Sequence, residues 1–320
     1  MVNVFVDCVG HPDLFYSMYT LFEHRLGWRL WTSSITPDWT EQGVLAQPLV
    51  DSSIISEENG FLTNHSVYGD YQYRSLSVKS FLDLEVDFLV STAWSNELVF
   101  AQLMASNKPT TKHICHIANI HEVPKLCKNV LLSIKTPMPK EINWIRYHPE
   151  HPLCYSPNSL LPEQRVDNAF NRLRNYPDAI KQFYDLEKTM PDFSFHIGSI
   201  PQIDFVTKLQ KSMFVYYVKP GGCCGYAGRE ALSCGKPLII EKHYCRTHYT
   251  LAQDYLHDGV NCVDIDPSIR SLQEAAEILR EWAQPAVYQS KVKDIVRLFA
   301  QDMDFAQEAI AIEQWFRSIL

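Results

Sequence analysis

The segment 213–241 constrains the fold most strongly, because it alternates strand, glycine-rich loop, helix, glycine and strand. Its first part, MFVYYV at 213–218, is apolar enough for a buried central strand. A helix is predicted from Tyr226, and Gly235 and Pro237 are typical of the end of a helix. The PLII that follows is a second buried strand. This order of elements is the βαβ unit of α/β proteins.

The loop of this unit is suited to a ligand that carries phosphates. Gly221, Gly222 and Gly225 let the backbone turn sharply and approach a ligand closely. The helix from Tyr226 directs amide N–H groups and the positive end of its dipole toward the loop, and such an arrangement binds diphosphates. Lys219 ends the preceding strand and adds a positive charge. The alternative is a tight turn without a ligand.

Glu230 lies about one turn into the same helix. A carboxylate at that position can accept hydrogen bonds from a ribose diol. Cys223 and Cys224 have two interpretations. A helix N-terminus lowers the pKa of a nearby thiol and makes it reactive, or small side chains are needed there for close backbone approach.

Strands and helices alternate along the rest of the chain, which favours parallel sheets with right-handed crossovers. Strands are predicted at 2–8, 28–34, 86–91, 112–118, 129–133, 142–147, 193–197 and 260–265, and helices at 13–26, 95–107, 177–190, 203–212, 247–256, 271–283, 286–299 and 303–318. The stretch 35–75 has weak periodicity and receives no assignment. Closely spaced prolines between 148 and 157 forbid a continuous element. We therefore predict an α/β protein with domains at 1–150 and 151–300 and a helical segment at 301–320.

Three stretches of the second half resemble the carboxy-terminal lobe of the family 4 (group 1) retaining glycosyltransferases. They are MPDFSFHIGS at 190–199, GREALSCGKPLII at 228–240 and YLHDGVNCVDID at 255–266. The resemblance covers roughly 175–285. It implies the GT-B fold, in which two Rossmann-like domains with parallel sheets face an interdomain cleft. It also implies that the helix at 301–320 returns to the amino-terminal domain.

The resemblance further implies a reaction and a set of donor contacts. The reaction transfers a sugar from a nucleoside-diphosphate sugar, UDP- or GDP-linked, with retention and without a metal. The implied contacts are the ribose hydroxyls at Glu230, the phosphates at Gly225 and Tyr226, the base at His196 and Gly198, and an amino-terminal loop facing the donor at Gly10. Backbone amides at 221–226 and Lys219 would stabilise the departing diphosphate.

The chain departs from the family pattern in two places. The family has two glutamates spaced E-x7-E, and here Gly222 stands in place of the first one. The usual basic pair after the first strand of the lobe is not evident, and its substitutes are Lys219, which is best placed, or the residues Arg146, Arg165 and Lys208. If the enzyme inverts configuration it needs a general base, for which His11 is the candidate. The alternative for His11 is a turn histidine bonded to backbone.

The composition indicates which classes of acceptor and which cellular compartment are favoured. The net charge is −8, so nucleic acid is a less favoured acceptor than a glycan, lipid, protein or small molecule. The sequence predicts neither a signal peptide nor a membrane span. The nine cysteines are scattered and odd in number, which indicates reduced thiols and a cytoplasmic location.

Two groups of histidine and cysteine residues are candidate metal sites. In the first, His113 and Cys115 share a strand face but His116 points the other way, and His121 follows the strand. The second group is His243, Cys245 and His248, for which ligand contact is favoured over zinc. We predict no metal site.

Two other functions stay open on the sequence. One is a protein of this fold that binds a nucleotide or glycan without catalysis, a possibility raised by the missing glutamate. The other is a nucleotide-sugar epimerase or a phosphorylase. A dinucleotide oxidoreductase is disfavoured because the first turn, VGHPDLF, lacks G-x-G-x-x-G.

Overall fold

The structure is a computed structural model, and it divides into two compact units. The first unit comprises Met1–His151 and Phe305–Leu320, and the second comprises Pro152–Asp304. The described residues are all those outside 8–11, 36, 45–54, 67–68, 93–95, 121, 123, 151–161, 170–172, 198–207, 219–224 and 248–249. For 12, 13, 37, 55, 64–66, 69, 70 and 174 only the backbone is described.

The first unit contains a nine-stranded sheet in the order β3-β4-β5-β2-β1-β6-β7-β8-β9. Its strands are β1 (Asn3–Val6), β2 (Arg29–Ser33), β3 (Ile55–Glu58), β4 (Phe61–Ser66), β5 (Gly69–Leu76), β6 (Phe88–Ser91), β7 (Lys112–Ile117), β8 (Asn129–Leu132) and β9 (Asn143–Arg146). Pairing is parallel from β5 to β9, whereas β3, β4 and β5 pair antiparallel. The sheet is therefore mixed, and its antiparallel part lies within the stretch that the sequence left unassigned.

The second unit contains a five-stranded parallel sheet in the order β11-β10-β12-β13-β14. Its strands are β10 (Arg165–Asn168), β11 (Ser194–His196), β12 (Phe214–Tyr216), β13 (Leu238–Ile240) and β14 (Cys262–Asp264). The sequence analysis missed β10, because three of its four residues are polar or charged. Sheet pairing on both sides, with β11 and β12, holds β10 in the interior of the sheet.

Ten α-helices are described within the residues covered by the structure. They are α1 (Pro12–Tyr19), α2 (Pro37–Glu41), α3 (Val78–Asp83), α4 (Glu97–Asn107), α5 (Pro177–Thr189), α6 (Tyr226–Ser233), α7 (Lys242–Thr247), α8 (Leu272–Trp282), α9 (Pro285–Asp302) and α10 (Phe305–Ile319). A π-helical turn, Thr20–Arg25, continues α1. Among the described residues, no helix combines the length and the apolar character that crossing a membrane requires.

Two predictions about helices had different outcomes. The helix predicted over 271–283 is confirmed as α8, and it begins with a capping box in which Ser271 and Glu274 make both reciprocal hydrogen bonds. The prediction of a helix over 247–256 is wrong. Instead α7 begins directly after β13, because the Asp264 carboxylate accepts a hydrogen bond from the amide of Lys242 at 3.0 Å. A 3-10 turn follows at Leu251–Asp254.

Helix α10 packs into the core of the first unit, although the second unit separates it from that core in sequence. The ring of Phe316 meets the rings of Phe22, Trp28 and Phe88 edge-on, with centroid distances of 5.6, 5.5 and 4.8 Å. Phe316 and Ile312 are completely buried. The first unit is therefore assembled from both ends of the sequence.

Candidate functional site

The strand order of the second unit gives it a topological switch point between β10 and β12. In chain order the strands run 2-1-3-4-5, so the connections leave β10 and β12 toward opposite sides of the sheet. Ligands of open α/β sheets bind at such switch points, outside the carboxyl ends of the strands. The glycine-rich loop follows the carboxyl end of β12, and α6 follows the loop. The topology thus locates the start of α6 at the ligand-binding edge of this sheet, whereas residues 219–224 of the predicted phosphate loop lie outside the described residues.

Gly225 caps the N-terminus of α6 in a conformation that favours glycine. Its φ is 77° and its ψ is 28°, in the left-handed region. A Cβ atom there would lie 2.7 Å from the hydroxyl of Tyr255 and 3.3 Å from that of Tyr217. The Tyr255 hydroxyl donates a hydrogen bond to the carbonyl oxygen of Gly225 at 3.0 Å. Two buried tyrosines therefore fix the backbone where the helix begins.

Gly228 was not singled out in the sequence, yet it sets the position of α6. A Cβ on Gly228 would lie 3.1 to 3.4 Å from the ring of Tyr217, which follows β12 and is fully buried. The absence of a side chain thus lets the helix pack closely against the strand that carries the loop. The spacing of Gly222, Gly225 and Gly228, three residues apart, is the signal that identifies it.

Glu230 and Arg229 lie in the same helix and are both buried. Glu230 is 6% exposed and Arg229 is 1% exposed. The guanidinium of Arg229 lies over the ring of Tyr226, 5.1 Å from the centroid. The first turn of α6 contains no acidic residue. The positive end of this helix therefore has no carboxylate of its own first turn to compete with a bound anion.

The other predicted donor contacts divide into described and undescribed residues. His196 is the exposed last residue of β11, so it lies at the same carboxyl edge as the start of α6. The remaining predicted site residues lie outside the described residues: Gly10, His11, Gly198, Lys219, Gly221 and Gly222. Their assignments stay predictions.

Two of the residues proposed to replace the basic pair of the family lie at the amino edge of the sheet, away from the carboxyl edge where ligands bind. Arg165 is the first residue of β10, and Lys208 lies in the helical turn before β12, so both are at the amino edge. Their charges are paired with Asp167, at 2.5 Å for Arg165 and 3.2 Å for Lys208. Burial lowers the pKa of Lys208, although Asp167 raises it in part. We therefore exclude both as phosphate ligands at the switch point.

A second polar recess lies at the carboxyl ends of β13 and β14, between α5 and α8. Its volume is about 360 Å³, and Gln182, Glu241, Ile265 and Arg270 are among the residues that line it. Burial raises the pKa of Glu241, and the neighbouring carboxylates Asp266 and Asp264 raise it further. The recess therefore favours a protonated carboxyl more than an exposed surface does.

The first unit has its own switch point, between β1 and β6. Asp7 follows β1 and is completely buried. Its carboxylate accepts hydrogen bonds from the amide and hydroxyl of Thr92, both at 2.6 Å, and from the side-chain amide of Asn96 at 3.1 Å. This network joins the carboxyl ends of two neighbouring strands, and the sequence analysis did not identify it. In the sequence, Gly10 and His11 follow Asp7 after two intervening residues.

The histidine and cysteine group on β7 has the arrangement of faces that the sequence predicted, with Cys127 as an additional member. His116 faces away, and its Nε2 contacts the hydroxyl of Ser133 at 2.9 Å. His113 and Cys115 share a face, as predicted, and Cys127 joins them. The ligand atoms of these three side chains lie within 4.8 Å of one another.

Comparisons of the whole chain show which known structures it resembles. No protein-family model matches the chain, and no curated protein sequence matches it. Solved structures do match over nearly the whole length. HepE from Anabaena in complex with UDP-glucose has a TM-score of 0.59 at 12% identity, covering 99% of this chain and 100% of that one. The chain has the GT-B fold.

Two further glycosyltransferase structures support the same assignment. An alpha-glucosyltransferase in complex with UDP and a 13-mer DNA has a TM-score of 0.62 at 9% identity, covering 99% of this chain and 100% of that one. Sucrose-phosphate synthase from Thermosynechococcus elongatus has a TM-score of 0.60 at 11% identity, covering 100% of this chain and 99% of that one. The fold predicted from the resemblance is thereby confirmed.

Proposed function

We propose that the protein is a glycosyltransferase that moves a sugar from a nucleoside-diphosphate sugar, most specifically a UDP-sugar, to an acceptor. The observation that carries the proposal is the glycine-capped start of α6 at the switch point of the second sheet. The similarity to HepE and to the alpha-glucosyltransferase, whose structures contain UDP-glucose and UDP, supports the choice of donor.

The diphosphate of the donor binds at the N-terminus of α6. Backbone amides and the helix dipole compensate its negative charge without a side-chain base. Gly225 keeps the approach open, because any Cβ there would collide with Tyr255. Lys219, on the sequence, adds a cation beside the same loop.

Glu230 binds the ribose of the donor. It lies one turn beyond the phosphate site on the same helix, which is the separation between the diphosphate and the ribose hydroxyls of a nucleotide. The carboxylate is held within a buried helix, so its position relative to the amides is fixed. His196, at the end of β11, is positioned on the base side of the same edge.

The chemical step depends on the departing diphosphate. As the sugar–phosphate bond breaks, charge grows on the phosphate, and preorganised amides stabilise this charge more than that of the ground state. We propose that this stabilisation needs no metal, that the leaving phosphate assists deprotonation of the acceptor, and that the configuration is retained. His11 becomes the general base only if the reaction inverts.

The acceptor binds to the first unit, beside the switch point braced by Asp7. One of the similar enzymes was solved with DNA. The net charge of −8 opposes such a polyanionic acceptor here. We propose a glycan, lipid, protein or small-molecule acceptor instead. Among the described residues, five buried cysteines fit a reducing cytoplasm: Cys115, Cys127, Cys234, Cys245 and Cys262.

The test is thermal unfolding of the full chain with UDP, GDP, UDP-glucose and GDP-mannose, followed by assays of sugar release. UDP at 100 times its dissociation constant should stabilise the protein by roughly 2.7 kcal/mol. Glu230→Gln should remove most of that stabilisation, because the amide cannot replace a carboxylate that accepts from two hydroxyls.

The matched control is Glu277→Gln, at an exposed position on α8, which should keep the full UDP effect. Equal UDP stabilisation in Glu230→Gln and wild type would contradict the ribose assignment. Tight UDP binding without sugar release under any acceptor would favour a silent binding protein. Conversion of the donor without an acceptor would favour an epimerase or a phosphorylase.

A further inference from the structure

A compact group of soft ligand atoms lies in the first unit, and none of its residues is among those assigned to the donor. His113 and Cys115 project from one face of β7, and Cys127 precedes β8. Their ligand atoms lie within 4.8 Å of one another. Among the described residues, this is the one group of three or more His, Cys, Asp or Glu side chains with such close spacing.

We propose that His113, Cys115 and Cys127 bind one Zn²⁺ ion. Two thiolates and one imidazole form a nitrogen–sulfur donor set, which is typical of zinc. With zinc–ligand distances of about 2.0 to 2.3 Å, tetrahedral geometry separates neighbouring ligand atoms by roughly 3.5 to 3.8 Å. The group therefore needs to close by roughly 1.0 to 1.3 Å at most, a change within reach of side-chain rotation.

The polar surroundings of the group fit an ion better than ordinary packing. The hydroxyl of Ser91 is 2.8 Å from Nε2 of His113 and 3.3 Å from Sγ of Cys115. It thus contacts two of the three proposed ligands. An apolar contact between cysteines requires no such hydroxyl.

Charge balance also favours a divalent ion. Cys115 and Cys127 are 3% and 4% exposed, so a single thiolate would be costly to bury. When Zn²⁺ binds, each thiol releases its proton to solvent, and the two thiolates neutralise the ion. The imidazole of His113 binds the ion as a neutral ligand.

Glu97 positions the third ligand. Its carboxylate accepts hydrogen bonds from the backbone amides of Lys125, Leu126 and Cys127, at 2.8, 2.7 and 2.5 Å. The segment that carries Cys127 is therefore fixed against the start of α4 before any ion binds. Glu97 is a positioning residue for this site.

The test is titration of the reduced, metal-free full chain with Co²⁺, which reports thiolate ligation by absorption. One equivalent should produce a sulfur-to-cobalt charge-transfer band and the d–d bands of a tetrahedral site, with release of two protons. Zn²⁺ should displace the cobalt. Protein purified without an affinity tag should contain one zinc per chain.

Variants then locate the site. Cys115→Ser and Cys127→Ser should each abolish the charge-transfer band of the tetrahedral complex, and Glu97→Gln should weaken binding about 10–100-fold. Cys262→Ser, at a buried cysteine of the second unit, is the matched control and should leave the spectrum unchanged. If a ligand variant fails to fold, the wild-type stoichiometry and proton release still decide the question.

Three results would overturn the proposal. They are the absence of a charge-transfer band in wild type, its persistence in Cys115→Ser or Cys127→Ser, and a Cys115–Cys127 disulfide in protein purified without reductant. The last result would identify a redox pair in place of a metal site. None of these readouts depends on sugar transfer, so their failure would leave the glycosyltransferase proposal intact.

Discussion

Two glycines with nearly the same backbone conformation differ sharply in their surroundings. Gly225 and Gly259 have φ values of 77° and 76°. A Cβ on Gly259 would meet no atom within 4 Å, whereas one on Gly225 would meet the Tyr255 hydroxyl at 2.7 Å. A comparison of substitutions at the two positions therefore separates the effect of the backbone conformation on stability from the effect of an added Cβ on the candidate phosphate site.

Gly225→Ala and Gly259→Ala should consequently have different effects. In both variants, the left-handed backbone conformation should lower the free energy of unfolding by roughly 1–2 kcal/mol. Only Gly225→Ala should also weaken UDP binding, because Tyr255 or the start of α6 must move. Urea unfolding gives the first quantity and calorimetry with UDP gives the second. Equal UDP affinities for the two variants would refute the phosphate assignment at α6.

At the scale of elements, local patterns were predictable where the sequence carries its own signal. The capping box of α8 needs only Ser271 and Glu274, three residues apart. The βαβ unit around α6 was visible because Gly235 and Pro237 mark where the helix ends. Strand β10 was not predictable, because Arg165 and Asp167 are charged and only sheet pairing and ion pairing hold them inside. The polar hairpin of β4 and β5 was also not predictable, because sheet pairing and not a local apolar pattern determines it.

Helix α10 provides a prediction at this scale. Phe316→Ala should lower the free energy of unfolding of the first unit by about 3–5 kcal/mol, because it removes a buried ring that contacts three others. Ile310→Ala lies on the same helix with 48% exposure and should change stability by less than about 0.5 kcal/mol. Chemical denaturation compares the two. Similar losses would mean that α10 does not depend on Phe316 for docking.

At the scale of the whole molecule, the fold was more predictable than the site. Alternation of strands and helices specifies an α/β architecture, and the resemblance of the second half specifies GT-B. Site geometry depends on contacts between distant residues, such as Tyr255 with Gly225 or Asp7 with Asn96, which no local pattern encodes. The third zinc ligand, Cys127, was likewise separated from His113 and Cys115 in sequence.

The division of the chain predicts how its parts behave when separated. A fragment of residues 152–304 contains the whole five-stranded sheet and α6. It should unfold cooperatively and retain stabilisation by UDP. Residues 1–151 alone lack α10 and should not unfold cooperatively until a 305–320 peptide is added. Thermal melts followed by circular dichroism distinguish these cases. A cooperative melt of 1–151 by itself would contradict the prediction.

Because α10 completes the core around Phe22, Trp28 and Phe88, the order of synthesis and the order of folding differ. During translation, all five strands of the second unit are synthesised before α10, which the core of the first unit requires. The amino-terminal half must therefore remain unfinished, with aromatic surface uncovered, until translation has passed residue 319. Translation that stops before α10 should therefore leave this aromatic surface uncovered.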